Sequence, residues 1–384
     1  MTDRPVAAPD PGFSLLDDPL TRTLRALRLA PRRGFNAPAR AALIALIAWL
    51  PIVVWAAATR QLAELVFRDG MIRHLELHVR CLLALPLFVL SEPFADRVIA
   101  VVVGNFPVSG LIAAGEQTAF AAVISRTKRL RDSRLVWGIL AAIVVLSTAV
   151  ASTRSPDLAS VSDGFGHTWA SLVVRPLFLL MLLAWLWRLV LVWVLFLRIA
   201  RLDLQLVPSH PDRAGGLGFL QIQPAAFSLV VFTLSSVVCA SVAQQMMEGH
   251  LHLVQFKGPL VALVAILSVL FICPLTAFGP RLRRTRLRGR FEYGTLAGRH
   301  VRGLHQRWIE GKTVEDDAIL DAPEIGPAAD VATLYELATR MRTLPLGLQP
   351  WLVVVIPAVL PLLPVATLEI PLKEILTKVL GMLT

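Results

Sequence analysis

Long uncharged apolar runs, separated by short polar stretches, dominate the pattern along the chain. A helix that crosses a bilayer needs roughly 20 predominantly apolar residues. Runs of that order fall at 41–59, 135–153, within 169–197, and at 214–247, 258–280 and 343–368. A seventh, 81–103, carries Glu92, Asp96 and Arg97 in its interior. The expected fold is all-α: a polytopic transmembrane helical bundle of about seven membrane segments (6–8), with a glycine-rich broken or re-entrant segment and a short cytoplasmic helical region. Shorter helices are expected at 61–80, at 110–131 along the membrane face, at 281–310 continuing the sixth span, and at 328–342 after an acidic loop at 315–327. Pro176 predicts a kink or tilt in 169–203. Pro350, Pro357, Pro361 and Pro364 exclude a regular helix through the last span, and the carbonyls they free need partners inside the protein. The closing 371–384 has the pattern of an amphipathic helix lying in the interface. The chain thus divides into a basic cytoplasmic segment 1–40, a transmembrane core 41–280 with a loop at 208–223, a cytoplasmic helical region 281–342, basic then acidic, and a last span with its interfacial helix, 343–384. No internal repeat of fixed period is visible.

Composition agrees with this pattern. The 384 residues are 55% hydrophobic and only 17% charged, which excludes an ordinary soluble globular protein. The net charge of +11 is best explained by the tendency of arginine-rich loops to stay in the cytoplasm, and it implies no nucleic-acid partner. That tendency puts 1–40, with Arg22, Arg25, Arg28, Arg32, Arg33 and Arg40, on the inner side, together with 125–134, 198–213 and 281–290. Seven crossings then place the C-terminus outside. Some 40 mostly polar residues precede the first apolar run, unlike a signal peptide. Cys81, Cys239 and Cys273 lie in apolar runs at spacings that suggest neither disulfides nor a zinc site.

Candidate chemistry starts in "PSHPDRAGGLGFLQIQP", 208–224. Pro208 and Pro211 push their predecessors to extended backbone, and Gly215, Gly216 and Gly218 permit positive φ and close approach. Gln223 followed by Pro224 resembles a helix cap with proline in the first turn. The stretch is expected to be a cytoplasm-side re-entrant loop, and irregular backbone at membrane depth must face protein or a watery cavity. Its amides, with Arg213, would favour an anion. It lacks the lysine and hydroxyl of a P-loop. The loop residues taken as candidates for an ion path or pocket are His210, Asp212, Arg213, Gly215, Gly216 and Gly218. The competing reading makes Asp212 a structural cap paired with Arg213, a role in which asparagine would serve about as well.

Further along, "GRFEYGTLAGRH", with "HPDRAGGLGFL" and the proline-rich last span, resembles a family of uncharacterised bacterial multi-pass inner-membrane proteins. The resemblance covers most of the chain from the second span onward. It implies a bacterial inner (plasma) membrane and brings no activity or catalytic residue with it.

Glu92 and Asp96 stand four apart on one face of the second span. Each ionisable group at a helix centre costs roughly 2.5–3.5 kcal/mol, so both should face the bundle interior or water, with Arg175 and Arg188 as partners. Their functional reading is an ion or proton path; the structural one is a buried ion pair. His74 and His78 share a helical face at a spacing that can bind zinc, but two surface histidines are the simpler reading of the pattern. Arg281, Arg283, Arg284, Arg286, Arg288 and Arg290 are expected to anchor the sixth span at anionic lipid headgroups. The partners implied are the lipid bilayer, anionic lipids and further copies of this chain. No cofactor and no catalytic set is specified. The expected function is an oligomeric ion channel or small-ion transporter with its polar path near 210–218. The alternatives are a membrane-embedded enzyme, or a protein binding anionic lipid or phosphate, using His210, Asp212 and Arg213 with Glu292 and His300, and a non-catalytic membrane scaffold.

Overall fold

Proline placement explains the shape of the helices. The computed structural model describes residues 13–19, 22, 37–60, 74–154, 164–249, 251–312 and 326–369. Most of the expected helix at 61–80, most of the acidic loop at 315–327, and the interfacial segment 371–384 lie outside the described residues. Helix α1 is Ala37–Ala58 and runs through Pro51. Helix α2 comprises Leu75–His78, a π-helical turn at Val79–Ala84, and Leu85–Val108. The wide turn sits just before Pro86, whose missing N–H and bulky ring disrupt normal α spacing. Helix α5 repeats the device: Phe165–Trp169, a π turn at Ala170–Val174, then Arg175–Ile199, with Pro176 in its first turn. The expected kink at Pro176 takes this form.

Between them, α3 (Gln117–Arg131) and α4 (Arg134–Arg154) both pack on α5. A 3₁₀ helix, Gly218–Phe227, then leads into α6 (Ser228–Gly249). Helix α7 (Leu253–Ile272) passes through a 3₁₀ turn at Cys273–Phe278 into the polar α8 (Gly279–Trp308). Helix α9 (Gly326–Arg340) folds back along α8, with Gly289 beside Ala338 and Gly294 beside Tyr335. The last apolar stretch is two pieces, α10 (Leu348–Val359) and α11 (Leu362–Ala366). The break falls where Pro361 cannot donate, and the Ser235 hydroxyl of α6 donates to the Ala358 carbonyl at 2.5 Å. A carbonyl beside the break is therefore satisfied from within the bundle, as irregular backbone in a membrane requires.

Among the described residues there is no strand, only one isolated bridge between Ile112 and Leu204. Five helical stretches are long and apolar enough to cross a bilayer: Ala37–Ala58, Ala114–Val150, Ala170–Ile199, Gly218–Gly249 and Leu253–Trp308. These are the helices of an integral membrane protein. The expected span at 81–103 is helical but holds three charged residues, and that at 343–368 is divided at Leu360 and Pro361. The buried core joins α1, α2, α5, α6 and α7 through Ile52, Phe88, Phe106, Trp185, Phe196, Val231 and Phe271, with Phe227 from the 3₁₀ helix among them. Such packing holds membrane helices together by van der Waals contact, because lipid tails are as apolar as the side chains themselves.

Candidate functional site

The glycine-rich loop is organised around one carboxylate. Pro208 and Pro211 end the extended run after α5, and the backbone from Asp212 to Leu217 is non-helical. Arg213, Gly215 and Gly216 adopt positive φ of 55°, 66° and 97°. These turns aim three amides inward. Asp212 Oδ1 accepts N–H bonds from Ala214 at 2.7 Å and Gly216 at 3.2 Å, and Oδ2 accepts one from Gly218 at 2.7 Å. His210 Nδ1 lies 2.8 Å from Oδ1. Burial pushes the Asp212 carboxyl up, but the amides of Ala214, Gly218 and Gly216, with His210, outweigh it and hold it below the ordinary value of 3.8. The anion expected at this amide cluster and helix N-terminus is the chain's own Asp212. Around it, Gly215 lies against Met341 and Gly216 against Leu111, so apolar side chains cover the loop at these two points. Gln223 does not cap a helix: the 3₁₀ segment runs through Pro224, and Asp212 caps its start at Gly218. Asp212 has short carboxylate arms that reach these amides, whereas Gln223 is wholly buried in the segment's interior.

This geometry revises what asparagine can do at 212. Both carboxylate oxygens are in use, and an amide would turn a donor toward either Gly218 or the Ala214 and Gly216 pair. Asp212→Asn should therefore destabilise the protein by about 1–3 kcal/mol even in a purely structural role. The lowered pKa adds a pH signature. The stabilisation from ionised Asp212 is present above the ordinary value of 3.8 and is lost as pH falls through the lower folded-state value. Thermal unfolding followed from pH 7 down to 3 should show the gap between wild type and Asp212→Asn closing only at the acid end; a gap that is independent of pH would refute this role.

A second polar centre lies inside the bundle. Arg188, on α5, is 1% exposed. Its Nε and Nη2 donate to Asp18 Oδ2 at 3.2 and 2.9 Å, and Nη2 also donates to Glu92 Oε1 at 3.1 Å. Glu92 Oε2 accepts from Arg40 Nη2 at 2.9 Å. Trp185, one turn before Arg188, stacks its ring 4.9 Å from the guanidinium and donates its indole N–H to the Phe88 carbonyl at 3.2 Å. Among the described residues, two cations and two carboxylates thus meet in one cluster, with Asp18 and Glu92 only 1% and 2% exposed. Charges removed from water persist only when paired and hydrogen-bonded in this way.

Asp18 comes from the N-terminal stretch. Phe13 and Leu15 are buried, and Asp96 Oδ1 accepts from the Ser14 hydroxyl at 2.9 Å and from the Leu15 N–H at 2.7 Å. Arg131 Nη1 donates to the Ser14 carbonyl at 2.5 Å, and Arg22 pairs with Asp132 at 2.9 Å. Glu92 and Asp96 therefore hold different partners on the same face of α2. Arg188, one of the two partners expected for Glu92, pairs with it. Arg175 lies thirteen residues earlier on α5, roughly 20 Å along the axis, and is not in the cluster. Asp18, Arg40 and Trp185 are the members that sequence reasoning missed. Arg40 was visible as a lone cation at the start of an apolar run. Asp18 had no comparable signal, because nothing in a polar N-terminal stretch marks one aspartate for burial.

The other candidates are placed as follows. His78 Nδ1 accepts the indole N–H of Trp49 at 3.1 Å, and both His74 and His78 are buried. Among the described residues no three His, Cys, Asp or Glu side chains gather to hold a metal. Arg281 caps the end of α5 by donating to the Ala200 and Arg201 carbonyls at 3.0 and 3.1 Å, and Arg286 donates to Thr339 at 3.3 Å at the end of α9. Arg283, Arg284 and Arg290 are exposed, and Arg288 pairs with Glu292. Glu292 thus faces outward while His300, two turns on, is buried, so helix α8 sets the two apart. An apolar cleft of about 550 Å³ lies between α2, α6 and α11, lined by Leu75, Val79, Phe232, Cys239, Met247 and Leu363 among others. Compared with known protein families, curated proteins and solved structures, the chain matches none of them.

Proposed function

We propose that the protein is an ion channel or small-ion transporter of a bacterial inner membrane, assembled from several copies, with its polar path centred on the Arg188 cluster. The observation that carries this reading is Arg188 itself: a guanidinium with 1% exposure in an apolar helix, bridging Asp18 and Glu92. Ionisable groups in membrane helices face the bundle interior and mark ion and proton routes, since their cost is otherwise unrewarded. The 210–218 loop supports the path as scaffold, because its carboxylate and amides satisfy each other. The arginine-rich N-terminal stretch and α8 favour a cytoplasmic N-terminus by the positive-inside tendency, with exposed Arg283, Arg284 and Arg290 at anionic headgroups.

The test is flux through vesicles containing the purified protein, with Na⁺, K⁺, H⁺ and Cl⁻ offered in turn. At least one ion should move with the wild type. Glu92→Gln keeps an acceptor oxygen for Arg188 but turns its amide toward Arg40 and removes a charge, so it should also cost stability, and flux per folded protein should fall roughly tenfold, a barrier change of about 1.4 kcal/mol. Wild-type vesicles impermeable to every ion, or undiminished flux in Glu92→Gln, would reject this function.

A further inference from the structure

The composition of the buried cluster is divided between the bundle and the N-terminal stretch. The helices contribute Arg188, Arg40 and Glu92, a set with net charge +1. The balancing carboxylate, Asp18, arrives on a stretch with no helix or strand over 13–18. That stretch is held by Asp18 on Arg188, Ser14 and Leu15 on Asp96, the Ser14 carbonyl and Asp17 on Arg131, and the buried side chains of Phe13 and Leu15. Helical structure begins just after the carboxylate, where Pro19 is helical and Arg22 N–H bonds the Asp18 carbonyl at 3.0 Å.

We infer that Arg188, flanked by Arg40 and Glu92, is a binding site for a small carboxylate ion, and that Asp18 occupies it in the state seen here. The donor arrangement suits this ligand. Arginine presents several N–H groups in a planar fork matched to carboxylates, and Trp185 against its face fixes the plane. Glu92 Oε1 accepts from Nη2, and a single oxygen of Asp18, Oδ2, accepts from both Nε and Nη2. With Asp18 withdrawn, the site would be a desolvated cation with unfilled donors, which a free carboxylate ion satisfies at low cost. A displaceable segment bearing the ligand's own functional group is a means of closing such a site from within the chain. The inference deepens the transport reading and rests on it for the ion's onward path.

Acetate is the probe, because it replaces the carboxylate and methylene that Asp18→Gly removes. In purified full-length Asp18→Gly, acetate at tenfold above its dissociation constant should raise Tm by about 3 °C, while wild type, already self-occupied, stays put. Chloride and phosphate at the same concentration should do less, chloride lacking the carbon that fills the space of the Asp18 methylene and phosphate being larger. Asp18→Asn, which keeps the side-chain volume, serves if Asp18→Gly does not fold; radiolabelled acetate uptake into its vesicles should exceed wild type roughly tenfold. A folded Asp18→Gly indifferent to acetate, or equally responsive to chloride, overturns the assignment, as does unchanged acetate uptake in Asp18→Asn when Asp18→Gly cannot be made. Acetate stabilisation with no flux of acetate or of any other ion in any variant upholds the site and sinks the transport reading. Flux of another ion through wild type, with neither variant answering to acetate, overturns the site and leaves transport standing.

Discussion

Arg188→Gln is expected to cost about 3–5 kcal/mol, enough to leave little folded protein in detergent. The side chain is buried against Asp18 and Glu92, which are themselves buried. Removing the cation leaves two carboxylates facing each other with only Arg40, on the Glu92 side, to compensate. The loss comes from the stranded charges rather than from the pair's own net worth, since a buried ion pair replaced whole by apolar or neutral groups is often close to neutral. The double variant Arg188→Met, Asp18→Asn, which leaves the Glu92–Arg40 pair intact, should accordingly recover most of the stability lost by Arg188→Gln. Thermal unfolding of the three proteins in one detergent checks both statements. A single variant losing less than about 1 kcal/mol, or a double variant worse than the single, would mean that solvent reaches the cluster.

Gly289→Ala should destabilise the protein although alanine is the better helix former by about 1 kcal/mol. A Cβ on Gly289 would sit 2.4 Å from Pro208 Cβ and 2.7 Å from its Cγ. The proline ring cannot swing aside, and Pro208 is tied into the loop whose Ser209 hydroxyl bonds the Tyr293 hydroxyl at 3.0 Å. Forcing extra carbon into a closed contact costs about 1–3 kcal/mol, at the upper end here, so the net loss for alanine is about 2 kcal/mol. Valine adds two more methyl groups and should lose more. Urea or thermal denaturation of the two variants gives the comparison, and an alanine variant more stable than wild type would show that α8 and the loop do not meet as described.

How much was legible in the chain depended on whether the signal was local. Helical spans and their ends follow from runs of apolar residues and from proline, both of which act within a few residues. That 343–368 is not one regular helix was foreseeable from its four prolines, and the special backbone of 212–218 from its glycines, whereas the place of the break, past Pro357 and at Pro361, was not. Glu92 could be marked as paired, because a carboxylate in an apolar helix has no cheaper state. The identity of the partner could not be read in the same way. Arg175 and Arg188 occupy equivalent surroundings in sequence, and only the crossing of α2 and α5 brings one and not the other to Glu92. For Asp212, the special turn was visible, but the use of both oxygens by three amides was not.

By itself, then, the sequence determined the all-helical membrane architecture, the need for irregular backbone in 208–218 and in the last span, and the presence of ionisable groups that need burial with partners. These follow from the cost of exposing backbone polar groups or charge to hydrocarbon, a cost that each short stretch meets wherever it is placed. Only the tertiary structure decided that Asp18, seventy-four residues before Glu92 and in a polar stretch, completes the charge balance at Arg188, and that Pro208 closes on Gly289. Those contacts join residues far apart in the chain. Their energies depend on distances of a few ångströms between elements, set by how whole helices cross, and no periodicity within either partner records them.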